Sequence, residues 1–403
     1  MMETGASRVA LGRIGWSVSG LTQLRIGVVG LGVIAQVAHL PNLARLSSSF
    51  RVTHLSDLST TLMGAIAAAL PGPPRTSLDA RSMFDDPEVD AVLLLTPGAH
   101  APLARMALEA GKHVISEKPL CLTQAEAHDL GRLASERGLV LQVAYMKAYD
   151  PTMPAARRAL ERIGQVRLIS VEVRHPSNEL QIGALDVLRP RDVDIDVVRA
   201  AEAVEAERVG EALGDAPAGI AQLYRDVLVG SVIHELSALR ALGFQPPTGW
   251  SHATAWPFDP HVAAEEPSSL AGTATLTGGA LLSLQWLWVS DYPRYEETIS
   301  IVGSAGAIEL DMPQPYGPDV AATLRVRSAD GHGLEVVDGR HKRDSGFMEE
   351  LRVFHEAVTD GGPVPTGAES ARSDTASLQA FAVALAADHG LTLGGEASGS
   401  SPK

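Results

Sequence analysis

A single cysteine, Cys121, stands among 403 residues. One thiol excludes an intramolecular disulfide framework, and no Cys/His spacing resembles a zinc site, so no metal is expected and a reducing, cytoplasmic compartment is. Basic residues are also short, at 33 against 48 acidic ones for a net charge of −15. That balance argues against nucleic-acid or anionic-membrane partners, which favour concentrated Lys and Arg. No uninterrupted apolar run reaches the roughly 18 residues of a membrane span. The N-terminal stretch "RVALGRIGWSVSGL" is broken by Arg13 and lacks a convincing cleavage pattern, so residues 1–23 read as an extension. Histidines are scattered without an H-E-x-x-H helix, and "GSAG" lacks the G-x-S-x-G spacing of a nucleophile elbow, which disfavours metal-dependent and serine hydrolysis.

What is present is an ordinary globular composition, 45% hydrophobic and 20% charged, long enough for two domains on the prior of roughly 150 residues each. From Leu24 to 150, short β-branched runs ("LRIGVV", "RVTHLS", "AVLLLT", "KHVIS", "LVLQVAY") alternate with helical stretches ending at Gly111 and Gly138. This is the grammar of βαβ units and predicts an α/β, Rossmann-type doubly wound parallel sheet. Beyond Pro151 the pattern changes. The strand "VRLISVEVRH" is followed by a charged insertion over 177–214, a helix, then "AGTATLTG", "ALLSLQWLWVS", "EETISIVG", "AIELD" and "TLRVRS" joined by Gly-containing turns. Residues 151–390 are therefore expected to form an α+β domain with a large open, mainly antiparallel sheet. The insertion reads as a lid or helical element, and 391–403, "GGEASGSSPK" at its end, as a flexible tail.

The segment "RIGVVGLGVIA" places Gly30, Gly32 and Ala35 as G-x-G-x-x-A between a strand and a helix. Gly30 permits the tight turn, Gly32 lets a pyrophosphate approach the backbone, Ala35 allows close helix packing, and the amides of Val33 and Ile34 face phosphate oxygens. Asp57 closes the next strand, where its carboxylate can accept hydrogen bonds from both adenosine ribose hydroxyls and repel a 2′-phosphate. No Arg or Lys follows before Arg75, so NAD is expected as cofactor ahead of NADP.

Two later strand ends, "LLLTPGAHAPLA" and "KHVISEKPL", resemble the Gfo/Idh/MocA oxidoreductase family. Thr96, Pro97 and His100 resemble its T/N-P-x-x-x-H segment with one residue fewer before the histidine, and Glu117, Lys118 and Pro119 match its E-K-P motif. "VAYMKAYDP", "SVIHEL" and "ISIVGSAGAIELD" resemble later parts of the family pattern, so the resemblance runs from Leu24 to His389 apart from the insertion. It implies cofactor contacts from Thr96, Pro97, His100, Glu117 and Lys118, with Lys118 beside the nicotinamide. His234 is implied as the acid/base, since imidazole titrates near neutrality without help. It further implies hydride transfer to or from a carbinol or carbonyl carbon of a polyhydroxylated sugar, nucleotide-linked sugar or cyclitol, by a homodimer or homotetramer. Elimination or glycoside cleavage without net redox, and a non-turning-over regulatory protein, are the alternatives.

One departure stands out. The family commonly carries aspartate four residues before that histidine, one helical turn away, and this chain has Gly230. Asp226 lies a further turn back, about 12 Å from His234 along an ideal helix axis. Glu235 points to another face, and Ser237 occupies a place where relatives often have an acid. Lys118 and His234 act without the acid, or a residue such as Tyr145 supplies the proton chemistry, or catalysis is lost. Strand-end and loop positions add Tyr145, Arg174, His175, Asn178, Tyr292, Arg294 and Tyr295 as candidate substrate contacts. Trp286 and Trp288 alternate with Leu287 and read as sheet packing.

Overall fold

A computed structural model describes residues 23–183, 185–316, 320–328, 334–338 and 344–399. Of the expected N-terminal extension only Gln23 is among them; the rest lies outside the described residues.

Six parallel strands form the first sheet: β1 (Leu24–Val29), β2 (Phe50–Ser56), β3 (Arg75–Ser77), β4 (Ala91–Leu94), β5 (His113–Glu117) and β6 (Leu141–Ala144), in the order β3-β2-β1-β4-β5-β6. β4 and β6 are buried at every position, as expected of strands covered on both faces. β1 pairs with β2 on one side and with β4 on the other, so chain order reverses there and a crevice opens beyond the strands' carboxyl ends. Gly30, Asp57, Leu95, Lys118 and Tyr145 each follow directly on a strand end. The helix Gln124–Arg137 shows why the sequence punctuates as it does. Thr123 and Glu126 form a reciprocal capping box, and Gly138, at φ 64°, ends it in the left-handed region.

The second sheet has eight strands: β7 (Val166–His175), β8 (His252–Trp256), β9 (Ser269–Thr275), β10 (Leu281–Trp288), β11 (Glu296–Gly303), β12 (Gly306–Met312), β13 (Thr323–Ser328) and β14 (Leu334–Asp338). Their order is β14-β13-β12-β11-β7-β10-β9-β8. Neighbours are antiparallel except β10 and β7, which run parallel from Leu281↔Leu168 to Trp288↔His175. The first strand of this domain thus sits in mid-sheet. β3, β8 and β14, unanticipated from the sequence, are short strands, and β8 and β14 end their sheet. The core runs without interruption from Val92 and Leu130 in the first domain to Leu236, Leu284 and Phe381 in the second, so the two domains share a packed interface.

Two features differ from the sequence reading, the helical stretch around His234 and residues 391–399, while the insertion is helical as expected. The helical stretch around His234 is π-helical over Tyr224–Val232 and α-helical over Ile233–Ala241. The insertion comprises the helices Asn178–Ile182 and Ile195–Leu213, capped by Ser177 and Asp194. Residues 391–399, read as flexible, are docked: Leu393 and Ala397 are buried, and the Glu396 carboxylate accepts from the amides of Gln124 at 2.7 Å and Ala125 at 2.9 Å. The Gly/Ser composition gave no sign of that capping role. Residues 400–403 lie outside the described residues. None of the described helices is long and apolar enough to cross a membrane.

Candidate active site

Three cavities lie end to end along the strand ends, each sharing wall residues with the next. The first, about 670 Å³, is lined by Gly30, Gly32, Val33, Asp57, Ser59, Thr96 and Pro97. The second, also about 670 Å³, shares Gly32, Val33, Thr96 and Pro97 and continues to Ile34, Glu117, Lys118, Gly230 and His234. The third, about 460 Å³, takes over Lys118, Asp226, Gly230 and His234 and extends to His175, Trp286, Trp288 and Tyr295.

At the glycine turn, Gly30 has φ 87°, and a Cβ there would stand 2.7 Å from the backbone of Leu95 and Thr96, so no other residue fits. A Cβ on Gly32 would meet nothing within 4 Å; its space opens into the groove, the cradle a pyrophosphate needs. Asp57 Oδ2 accepts from the Leu31 amide at 2.7 Å and Oδ1 from the Ser59 amide at 2.8 Å. The carboxylate therefore braces the turn as well as facing the cavity. These residues fit a dinucleotide. Arg189, from the insertion, lines the same end, a cation that counting forward from Asp57 missed.

Lys118 Nζ donates to the Gly230 carbonyl at 2.6 Å. Burial, reinforced by the charge of Lys147 and opposed by Glu117 and Glu235, pushes the ammonium below its ordinary range. Glu117 accepts from His39 Nε2 at 3.0 Å. Burial opposes its ionisation, but His39 and Lys118 outweigh that and hold it below the usual carboxylate range. Beneath it, both oxygens of the fully buried Glu350 lack a partner, and burial next to Glu117 drives Glu350 toward its neutral form. Nothing in the sequence pointed to that residue. His39, Glu117 and Glu350 offer ligand atoms within 4.8 Å of one another, the metal-sized cluster among the described residues.

His234 Nδ1 is buried without a partner. Burial, then the charges of Lys118 and Lys147, hold its pKa well below 6.5, so it is a neutral imidazole. The π-helical segment, with its wider turn, sets Asp226 on the same cavity walls as Gly230 and His234; the straight-helix reading had separated them. Its carboxylate is held by Arg225 at 2.6 and 3.0 Å.

Beside them, Lys147 donates to Glu235 at 2.7 Å and to Glu297 at 2.5 Å, and the Tyr295 hydroxyl also donates to Glu297 at 2.5 Å. Burial pushes Glu235 up to about 7, against the pull of Lys147. His175 stacks on Trp288, with ring centroids 5.5 Å apart, and lies tilted against Trp286 at 5.2 Å. Burial lowers it to about 4. Trp286 is tied to Ser231 at 2.9 Å and Trp288 to Glu266 at 3.3 Å, so both tryptophans form a cavity wall and do more than pack the sheet.

Other expected site residues lie elsewhere. His100 is buried with Nδ1 2.9 Å from the Pro119 carbonyl and Nε2 2.9 Å from that of Thr96. It ties two groove loops together from behind and lines no cavity described above. Ala35 is fully buried in the core. Tyr145 is fully buried, its ring 5.4 Å from the Arg240 guanidinium, and cannot reach a substrate. Arg174, Tyr292 and Arg294 all converge on Glu296, at 2.8, 2.9 and 3.0 Å, because Arg174 and Glu296 are cross-strand neighbours. Asn178, His175 and Tyr295 do line the third cavity.

Residues 24–145 match the family model described as "Oxidoreductase family, NAD-binding Rossmann fold", Gfo/Idh/MocA. Over that first domain the chain is similar to the NAD-binding domain of the Gfo/Idh/MocA oxidoreductases. Among its relatives, an uncharacterized oxidoreductase of Escherichia coli, YdgJ, is 33% identical over 128 residues, 32% of this chain and 36% of that protein. Inositol 2-dehydrogenase of Mycolicibacterium smegmatis is 35% identical over 133 residues, 32% of this chain and 38% of that enzyme. These alignments span little more than a third of either relative. The solved structure of UDP-N-acetylglucosamine 3-dehydrogenase from Acidithiobacillus ferrooxidans is 24% identical, with a TM-score of 0.64 over 91% of this chain and 98% of that one; at that identity the likeness establishes the fold. At position 230, outside the matched residues, Lys118 meets a backbone carbonyl in place of the carboxylate that the family resemblance implied.

Proposed function

We propose that this chain is a nicotinamide-dependent dehydrogenase or reductase acting on the CH–OH group of an unphosphorylated sugar or cyclitol ring. The observation that carries the reading is that Lys118 and His234 share the wall where the dinucleotide groove meets the third cavity. Gly30, Gly32, Val33, Ile34, Asp57, Thr96, Pro97 and Glu117 would hold the cofactor, NAD ahead of NADP because Asp57 faces the first cavity. The nicotinamide supplies the hydride acceptor or donor.

In the oxidising direction, neutral His234 takes the hydroxyl proton as hydride leaves the same carbon. Lys118, aimed by its bond to the Gly230 carbonyl, donates a hydrogen bond to the oxygen that becomes a carbonyl. Trp286, Trp288 and His175 offer a flat apolar wall for the C–H face of a ring. Asp226, Asp259, Glu265 and Glu266 line the same cavity; carboxylates accept hydrogen bonds from hydroxyls and repel a diphosphate, so an uncharged or amine-bearing ring suits the cavity better than a nucleotide-linked sugar. We further propose a homodimer or homotetramer joined through the second sheet. Along β7, β10 and β11, Ser170, Glu172, Gln285 and Thr298 alternate with buried positions on the face away from the core.

The test is a turnover screen over cyclitols, free sugars, amino sugars and nucleotide sugars, reading reduced nicotinamide. Lys118→Ala and His234→Ala are each expected to lower kcat by about 100-fold or more, and nucleotide sugars to be the poorest class. Unchanged turnover in both variants defeats the site assignment, and NAD binding no tighter than millimolar defeats the cofactor reading.

A further inference from the structure

The insertion runs the length of the dinucleotide groove and is fastened to it at three places. The Gln36 side-chain amide and the Leu188 backbone bond in both directions, at 3.1 and 2.9 Å, while the same Gln36 nitrogen donates to the Leu31 carbonyl at 2.9 Å. Asp192 accepts from the Thr61 amide at 3.0 Å. Glu205 accepts from the Ala99 amide at 3.0 Å. Each anchor grips the nucleotide domain beside a different groove loop: the glycine turn, the loop after Asp57, and the loop after β4.

Between the first two anchors, four aliphatic side chains line the first cavity while standing open to solvent. Leu58 and Leu78, from the nucleotide domain, are 49% and 55% exposed; Leu188 and Val198, from the insertion, are 50% and 37% exposed. Single exposed aliphatics are commonplace, whereas aliphatics from two separate segments lining one slot mark a site for a flat apolar group. The slot also contains Asp57 and lies at the end of the groove away from Lys118.

We infer that the insertion supplies the outer wall of the adenine pocket: Leu188 and Val198 close over the adenine of the dinucleotide against Leu58 and Leu78, and the three anchors keep that wall in place. The inference rests on the proposed dinucleotide reading. It makes the insertion a specificity element for the adenylate half of the cofactor and a brake on its release, because the ligand leaves only when the wall lifts. Arg189 and Asp192 flank the same end, so the wall brings charges of both signs to the adenosine side.

The test compares reduced NAD with reduced nicotinamide mononucleotide, which lacks the adenylate half, by calorimetry and by stopped-flow fluorescence of release. The proteins are the wild type, a Leu188→Ser/Val198→Ser double variant, and Val197→Ser as a control on the same helix. The double variant is expected to bind the dinucleotide about 10- to 100-fold more weakly, mostly through faster release, and to bind the mononucleotide as the wild type does. Val197→Ser is expected to behave as wild type. Unchanged dinucleotide affinity and release in the double variant overturns the inference, as does an equal loss for both ligands. If the wild type binds neither ligand, the dinucleotide reading itself fails.

Discussion

Position 230 borders both groups proposed to react. A carboxylate there would stand beside the Lys118 ammonium and one turn from His234, and a negative neighbour favours the protonated form of each. Lys118 starts from a value lowered by burial and Lys147, His234 from one lowered by burial, Lys118 and Lys147. In the proposed chemistry Lys118 works protonated and His234 works neutral. Gly230→Asp is therefore expected to move both limbs of the kcat/KM pH profile to higher pH, the acid limb following His234 and the alkaline limb Lys118. A Cβ at 230 meets only the Arg225 carbonyl, at 3.3 Å, so a small adjustment accommodates it. A profile that does not move would show that the carbonyl, and no missing charge, already sets these groups. The cavity-lining places of Gly32 and Lys118 were legible in the sequence because a turn and a strand end fix them, whereas His234, on the helix Ile233–Ala241, was reached only through the family resemblance. Arg174 misled because its partner, Glu296, is assigned by strand register, which the sequence does not display, and Tyr292 because it turns to the same carboxylate four residues on.

Elements were read most securely where local chemistry alone decides them. The β-branched runs of β1, β7 and β11 gave their boundaries to within a residue or two, and Gly138 marked the end of its helix. The π-helical register of Tyr224–Val232 left no compositional trace, since one extra residue per turn is imposed by what packs around it. Nor did the tail announce that Glu396 would serve the helix Gln124–Arg137. That carboxylate satisfies two of the four orphan amides at the helix start and meets its dipole. Glu396→Ala is expected to cost about 1 kcal/mol, seen as a lower urea midpoint, and Glu396→Gln to recover part of it. An unshifted midpoint in Glu396→Ala would mean that Thr123 and Glu126 alone suffice.

At the scale of the whole molecule, the continuous core joins a nucleotide-binding sheet to a sheet whose other face is half-exposed and polar. A second copy covering that face would bury Glu172 and Arg174 as a pair already made. Sedimentation velocity is expected to show a dimer or tetramer well above the 42.4 kDa chain mass; a monomer at micromolar concentration would refute the association. The sequence indicated two domains through the change of strand grammar near Pro151, but not that the insertion returns to the first of them, because that contact lies between residues as distant as Gln36 and Leu188.

Cys121 gives this architecture a practical use. It is buried, and burial pushes its thiol up to about 12, so at neutral pH it is neither a thiolate nor accessible. Native protein should therefore remain unlabelled by maleimide. Val197, 45% exposed on the insertion helix, can be replaced by cysteine to make one reactive handle in the entire chain. A fluorophore there would report, without any background from the scaffold, when the outer wall opens and how often.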